Sequence, residues 1–195
     1  MSKIIPPKKP QRGLAWLQDA IDEGRKSKNF HKGDRIVLVG VRGFYRDSMG
    51  VKGANDRRIF DDAFFWVDLE TGFVASYNGN TDPNGVRKGK GTGSSKGMAS
   101  LKPGVWRSKP GKHKGRKAFV QAVPFTVIRD GINGDYEDTG WFGINTHDAS
   151  DTSTSSLGCQ TTPGSQWVDF RETGYKLLDK AEQDEYPYIL IERQG

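Results

Sequence analysis

One cysteine and one histidine are the residues of this sequence best suited to covalent chemistry. Cys159 is the only cysteine among the 195 residues, and it follows His147 by twelve positions. A thiol attacks as its thiolate, so a neighbouring base, a cation or a helix N-terminus must lower its pKa from about 8.5. The small, polar residues 149–156 permit a loop that returns Cys159 to His147. This pattern predicts a nucleophile and its base, although a lone cysteine is also common as an inert, buried apolar residue.

The residues beside Cys159 extend the predicted site. Gly158 has no side chain, which leaves room for backbone N–H groups to face a developing oxyanion. Ser156 is expected to hydrogen-bond the thiol or the substrate, and Gln160 joins these two in supporting the nucleophile or the oxyanion. A second group of residues is assigned to outer positions or to substrate contacts: Asp148, His113 and Trp141. For His113 a surface position in a basic loop, and for Trp141 a core position, are the alternatives.

The sequence predicts no metal and no cofactor. One cysteine excludes a disulfide framework and every cysteine-rich zinc module, and the three histidines contain no His-x3-His pair. Asp56, Asp61 and Asp62 precede an apolar run and could suggest a cation site. Aspartates before a strand more often bond their own backbone in a turn, and that interpretation is preferred here.

A basic segment carries most of the net charge of +6. Residues 87–117 contain eleven lysines and arginines and no acidic residue. Gly89, Gly91, Gly93 and Gly97 indicate that its first half is a loop. The charge predicts an anionic partner such as a wall polymer, an outer-membrane lipid or nucleic acid, or else a solvated loop. No nucleic-acid-binding motif is present, so no specific nucleic acid is expected.

The apolar pattern predicts a mainly β fold with a helix near each end. Residues 1–12 are basic and rich in proline, which favours a mobile arm. Leu14, Leu17 and Ile21 then share one face of a short amphipathic helix that ends near Gly24. Residues 166–183 predict one helix or two short ones, divided at Gly174. Strands are predicted at seven segments: 35–45, 63–69, 73–77, 118–123, 125–130, 141–147 and 187–192.

The cysteine and histidine motifs resemble those of the L,D-transpeptidase catalytic-domain family. Residues 156–159, Ser-Leu-Gly-Cys, resemble its Ser-x-Gly-Cys nucleophile motif, and residues 144–147 resemble its histidine strand. Further segments resemble a phage-encoded branch that acts as peptidoglycan hydrolases: 55–56, 61–62, 80–83, 101–106, 111–115, 129–131 and 159–161. The resemblance covers roughly residues 35–192. It implies a β-sandwich catalytic domain at 31–195, preceded at 1–30 by the basic arm and amphipathic helix.

The same resemblance implies a cysteine peptidase of peptidoglycan stem peptides. Cys159 would attack the carbonyl of the diamino acid, expel the following D-amino acid and form a thioester. The chain differs from bacterial members in its shorter His-to-Cys interval and in Thr161, where they carry an arginine. An enzyme of phage lysis or host penetration is the leading interpretation. An L,D-transpeptidase proper and a non-enzymatic nucleic-acid-binding or virion protein are the alternatives.

The sequence also predicts where such a protein is made and acts. No apolar run reaches the length of a membrane span, and prolines at positions 6 and 7 replace the apolar core of a signal peptide. Synthesis in the cytoplasm is therefore expected. Action on the cell wall would follow release through a partner's pore or carriage in a virion.

Overall fold

The computed structural model describes residues 4–89 and 96–193, and within them the protein is mainly β, as predicted. The order of its two helices and eleven strands is α1 (Leu14–Gly24), β1 (Ile36–Arg42), β2 (Asp62–Asp68), β3 (Val74–Gly79), β4 (Ala99–Leu101), β5 (Gly104–His113), β6 (Arg116–Gln121), β7 (Phe125–Arg129), β8 (Tyr136–Gly140), β9 (Thr146–Ala149), β10 (Gln160–Pro163), α2 (Gly164–Lys180) and β11 (Tyr186–Glu192).

Eight strands form one curled sheet, in the order β10-β9-β6-β5-β11-β1-β2-β3. The pairs β1–β11 and β9–β10 are parallel, and the other neighbours are antiparallel. Asn80, directly after β3, exchanges two backbone hydrogen bonds of 2.8 Å with Thr161 in β10. The two edges therefore meet, and the sheet approaches a closed barrel. The strands β4, β7 and β8 form a separate small sheet.

The central strands are buried on both faces. Leu38 and Trp66 belong to a core inside the curled sheet, where α2 supplies Phe170. The alternate residues of β1 and β2 belong to a second core, where α1 supplies Leu17 and Ile21. Because successive strand residues point to opposite faces, a strand with a helix or core on each side reads as continuously apolar.

Helix α2 is one continuous helix, which decides between the two alternatives that Gly174 had left open. A Cβ built at this position would overlap the Trp66 ring and lie 2.7 Å from Cζ of Phe119. The glycine therefore permits close packing of the helix on the aromatic core and does not break it.

The N-terminal arm differs from the prediction of a mobile segment. The carbonyl of Ile4 accepts the Phe60 N–H at 2.7 Å, and the carbonyl of Pro10 accepts the Ser76 hydroxyl at 2.6 Å. The carbonyl of Lys8 accepts the Tyr45 hydroxyl at 3.1 Å. Prolines keep this segment extended, so its carbonyls are free to accept hydrogen bonds from the sheet.

The strand predicted at residues 141–147 is largely wrong. Only its last two residues belong to β9, and residues 141–145 are irregular. Gly143 has φ of +68°, and the backbone N–H groups of residues 142, 143 and 144 all converge on Oε1 of Gln121 at 3.1–3.4 Å. A side-chain acceptor thus replaces strand pairing, and Trp141 is left 65% exposed.

The first half of the basic segment, which was predicted to be a loop, contains the short strand β4, and the second half contains β5. Several of its cations pair with acidic residues from elsewhere in the chain. Arg107 lies 2.7 Å from Asp34, and Lys96 lies 2.7 Å from Asp138. Lys90, Gly91 and Gly93 lie outside the described residues. Within the described ranges, neither helix has the length and apolar character needed to cross a membrane.

Candidate active site

The parallel pairing of β9 and β10 brings the predicted nucleophile and base together. Thr161 is in register with His147, and the Gln160 N–H donates to the Asn145 carbonyl at 2.8 Å. Cys159 directly precedes β10, so it falls beside Asn145, two positions before His147. With strands about 4.8 Å apart and a rise of about 3.3 Å per residue, the Cα atoms of Cys159 and His147 are expected about 8 Å apart. The register, and not the length of the intervening loop, sets this proximity.

The loop before Cys159 is fixed by Ser156. Its hydroxyl accepts the Gly158 N–H at 2.9 Å and donates to the Cys159 carbonyl at 2.6 Å. Ser156 therefore shapes the nucleophile loop and does not bond the thiol, which was one of its two predicted roles. Gly158 has φ of +148°, and a Cβ there would lie 2.5 Å from the Ala99 carbonyl oxygen. The glycine is required by backbone conformation and by contact with β4.

The Cys159 N–H is a backbone donor of this loop that could face an oxyanion. The N–H groups of Gly158 and Gln160 are engaged by Ser156 and by Asn145. For the Cys159 N–H, the described part of the chain offers no acceptor. The N–H of Cys159 itself is therefore a candidate for the predicted oxyanion contact, and Gly158 contributes through its backbone conformation.

The thiol of Cys159 rests in its protonated form. It is half-buried and donates to the Gly143 carbonyl at 3.4 Å. Burial raises its pKa, and the Asn145 N–H and the charge of Lys114 oppose that rise. The site thus holds no preformed thiolate. A reaction at this thiol would therefore need a base to take its proton.

His147 is arranged as a neutral base. Its Nδ1 lies 2.6 Å from the Asp148 carbonyl oxygen, and a carbonyl only accepts, so Nδ1 carries the proton and Nε2 has the free lone pair. Burial lowers the pKa of His147. The Asp148 carboxylate is engaged elsewhere, at 2.9 Å from Arg116. The backbone carbonyl of Asp148, and not its carboxylate, therefore orients the imidazole.

His113 packs directly on His147. The two rings are parallel within 1°, with centroids 4.4 Å apart. The Asn145 amide donates to Nδ1 of His113 at 2.9 Å, so this ring is neutral with its proton on Nε2. Burial is the main cause of the lowered pKa of His113, and the charge of His147 lowers this pKa further. The predicted outer residue thus belongs to the site, whereas Trp141 lies exposed at its rim, two residues from Gly143.

A buried polar network behind the loop was missed by the sequence analysis. The Gln160 amide donates to the Thr81 carbonyl at 3.2 Å, and its Oε1 accepts the Tyr188 hydroxyl at 2.8 Å. Arg42 donates to the same Thr81 carbonyl at 3.0 Å. Gln160 therefore supports the nucleophile from inside the curled sheet, and its side chain does not face the substrate. Its position next to Cys159 was the only available signal, and Arg42 gave none.

The aspartates at the start of β2 accept backbone N–H groups, but those that bond Asp62 come from distant parts of the chain and not from the predicted local turn. Asp62 accepts the N–H groups of Gly43 and Thr81, both at 2.6 Å, and Asp61 accepts the Asp56 N–H at 2.8 Å. The other oxygen of Asp61 is buried without a partner in the described part of the chain. No group of three or more metal-ligating side chains occurs in the described residues.

Replacing Asp61 with asparagine is expected to stabilise the protein at pH 8. Burial, and next the charge of Asp62, raise the pKa of Asp61 to about 8. The folded state then holds a proton that the unfolded state releases above about pH 4, so stability falls as the pH rises between these values. An uncharged amide removes this loss, which for a rise of about four pKa units is on the order of 5 kcal/mol, or about 10 °C or more in Tm. Thermal unfolding at pH 8 and pH 5 measures it, and the difference should shrink at pH 5.

Asp68→Asn is the matched control for this prediction. The Arg35 guanidinium, 2.7 and 2.8 Å away, holds the pKa of Asp68 well below its usual range. The folded state here favours the charged form, so this variant should be less stable than the parent at pH 8. A lower Tm for Asp61→Asn at pH 8 would contradict a raised pKa at that position.

Compared with known protein families, with curated proteins and with solved structures, the chain matches none of them.

Proposed function

We propose that the protein is a cysteine peptidase of peptidoglycan stem peptides that cleaves the L,D bond after the diamino acid. The observation that carries this proposal is the orientation of His147. Its Nδ1–H donates to the Asp148 carbonyl at 2.6 Å, which leaves Nε2 free on the strand paired with the segment that bears Cys159. A free basic nitrogen beside a half-buried thiol is the arrangement that acyl transfer requires.

The chemistry follows from these positions. Nε2 of His147 takes the thiol proton while Sγ attacks the carbonyl carbon of the diamino acid, and the oxyanion meets the Cys159 N–H. The imidazolium returns its proton to the amine of the D-amino acid as the C–N bond breaks. A thioester remains on Cys159. Water, deprotonated by His147, then releases the shortened peptide and restores the thiol.

The Ser-Leu-Gly-Cys motif and its histidine strand support an L,D-transpeptidase-like catalytic fold within this mainly β chain. In that interpretation the curled sheet corresponds to the family's β-sandwich, with residues 31–195 as catalytic domain. Phage lysis or host penetration is the setting that the resemblance favours, with cytoplasmic synthesis and action at the wall. The basic segment would then hold the enzyme near anionic wall polymers or outer-membrane lipid.

Product analysis of purified muropeptides tests this function. Incubation with the wild-type protein should remove one D-amino acid residue from tetrapeptide monomers, read as a mass loss by mass spectrometry. An added D-amino acid of different mass identifies a transpeptidase if it is incorporated into the product. Unchanged muropeptides in the presence of folded protein would overturn the enzyme proposal. Steeply salt-dependent DNA binding would then favour the nucleic-acid-binding alternative.

A further inference from the structure

The hairpin between β5 and β6 carries an exposed cation to the candidate site. His113 and Arg116 form the last pair of the antiparallel register. Lys114 and Gly115 connect them as a two-residue turn, with φ of +49° and +80°. Positive φ at both positions is the conformation of a tight hairpin turn. Lys114 is therefore held at the tip of a rigid element and not in a long loop.

Two contacts fix this tip against β9. The His113 ring stacks on His147 at 4.4 Å, and Arg116 lies 2.9 Å from the carboxylate of Asp148. The two partners on β9 are His147, the predicted base, and Asp148, the residue that follows it. The tip thus lies on the His147 side of the site, which is the side that delivers a proton to the departing amine.

Lys114 is one of the cations of the basic segment that pair with no carboxylate in the described ranges. Arg107, Lys96 and Arg116 each pair with a carboxylate, whereas no carboxylate in the described ranges lies within ion-pair distance of Lys114. Its charge acts to lower the pKa of His113, His147 and Cys159. Burial has the larger effect on each group, and it lowers the pKa of the two histidines but raises that of Cys159. A cation that acts on all three groups is available to a substrate bound among them.

We infer that Lys114 binds the free α-carboxylate of the leaving D-amino acid, so that the enzyme is selective for stem peptides with a free end over cross-linked ones. This inference rests on the proposed function. The amine that accepts the proton from His147 is one carbon away from that carboxylate. When the amine faces His147, we therefore expect the carboxylate to lie beside the hairpin tip that carries Lys114. In a cross-link the same carboxyl is an amide and offers no charge.

A comparison of two substrates and two enzymes tests the inference. The substrates are a tetrapeptide that ends in D-Ala and the same peptide with a C-terminal amide, and the enzymes are the wild type and Lys114→Gln. We expect the wild type to prefer the free acid by about tenfold in kcat/KM, mostly through KM, as a charge-assisted hydrogen bond provides. In Lys114→Gln this preference should fall below twofold.

The design separates this inference from the proposed function. Any effect of the lost charge on His147 or Cys159 is common to both substrates and cancels in their ratio. Lys32→Gln, in the loop between α1 and β1, removes an equal charge elsewhere and should keep the tenfold preference. Cleavage of both peptides by the wild type without preference overturns the role of Lys114, as does a preference that survives in Lys114→Gln. If the wild type cleaves neither peptide, the proposed function fails, and this inference with it.

Discussion

Replacement of Cys159 with alanine is expected to abolish muropeptide cleavage, with a loss of at least 10⁴-fold in kcat. The thioester forms on Sγ, and no other cysteine exists in the chain to replace it. The structure should survive this change, because the hydrogen bond that the thiol donates is long, at 3.4 Å to the Gly143 carbonyl. The loop is held instead by Ser156. Product formation and thermal unfolding, measured on the same preparations, check both halves of this expectation.

Two further measurements make the cysteine prediction decisive. Alkylation of the wild type with iodoacetamide should add one carbamidomethyl group and remove activity in parallel. Thr152→Ala, an exposed change in the same connecting segment, should keep full activity. Cleavage by Cys159→Ala at more than a hundredth of the wild-type rate would contradict the thioester mechanism. It would move the chemistry to another group.

Residue types single out the residues of the candidate site more readily than the arrangement that surrounds them. Cys159 and His147 are recognisable from residue type and motif. Their proximity depends on the parallel register of β9 and β10, and the orientation of His147 depends on a backbone carbonyl. Neither feature can be recognised from residue types. The role of Asn145 cannot be recognised either, although its backbone carbonyl bonds the segment that bears Cys159 and its side chain bonds His113.

The errors in the fold have a common physical origin. The segment at 141–147 has strand-forming residues, but Gln121 captures three of its N–H groups, and this contact is distant in sequence. The N-terminal arm has no apolar pattern, yet its carbonyls bond to groups on and around β2 and β3. In both cases tertiary hydrogen bonds override local propensity. Strands β1, β2 and β11 and helix α1, by contrast, are fixed by burial, and their apolar patterns predicted them.

The arrangement of His147 also specifies how activity depends on pH. Only the neutral imidazole accepts the thiol proton, so activity is lost as the pH falls through the pKa of His147. Burial lowers that pKa from its ordinary value near 6.5. The acidic limb of kcat/KM should therefore lie below pH 6.5, and substrate cleavage measured from pH 4 to 9 locates it. A half-maximal point above pH 7 would mean that His147 is not the group that titrates.

Replacement of His147 with glutamine is expected to lower kcat/KM by about 10³-fold, within the range attributed to a positioned general base. Glutamine keeps a polar side chain of similar size but takes no proton, so attack must await the small fraction of thiolate. The residual rate should then rise with pH toward the raised pKa of Cys159. The acidic limb below pH 6.5, which the wild type owes to His147, should be absent. His31→Gln, an exposed histidine before β1, is the control and should match the wild type. If His147→Gln keeps more than a tenth of the activity with an unchanged pH profile, the base is another residue, and His113, stacked 4.4 Å away, becomes the first to test.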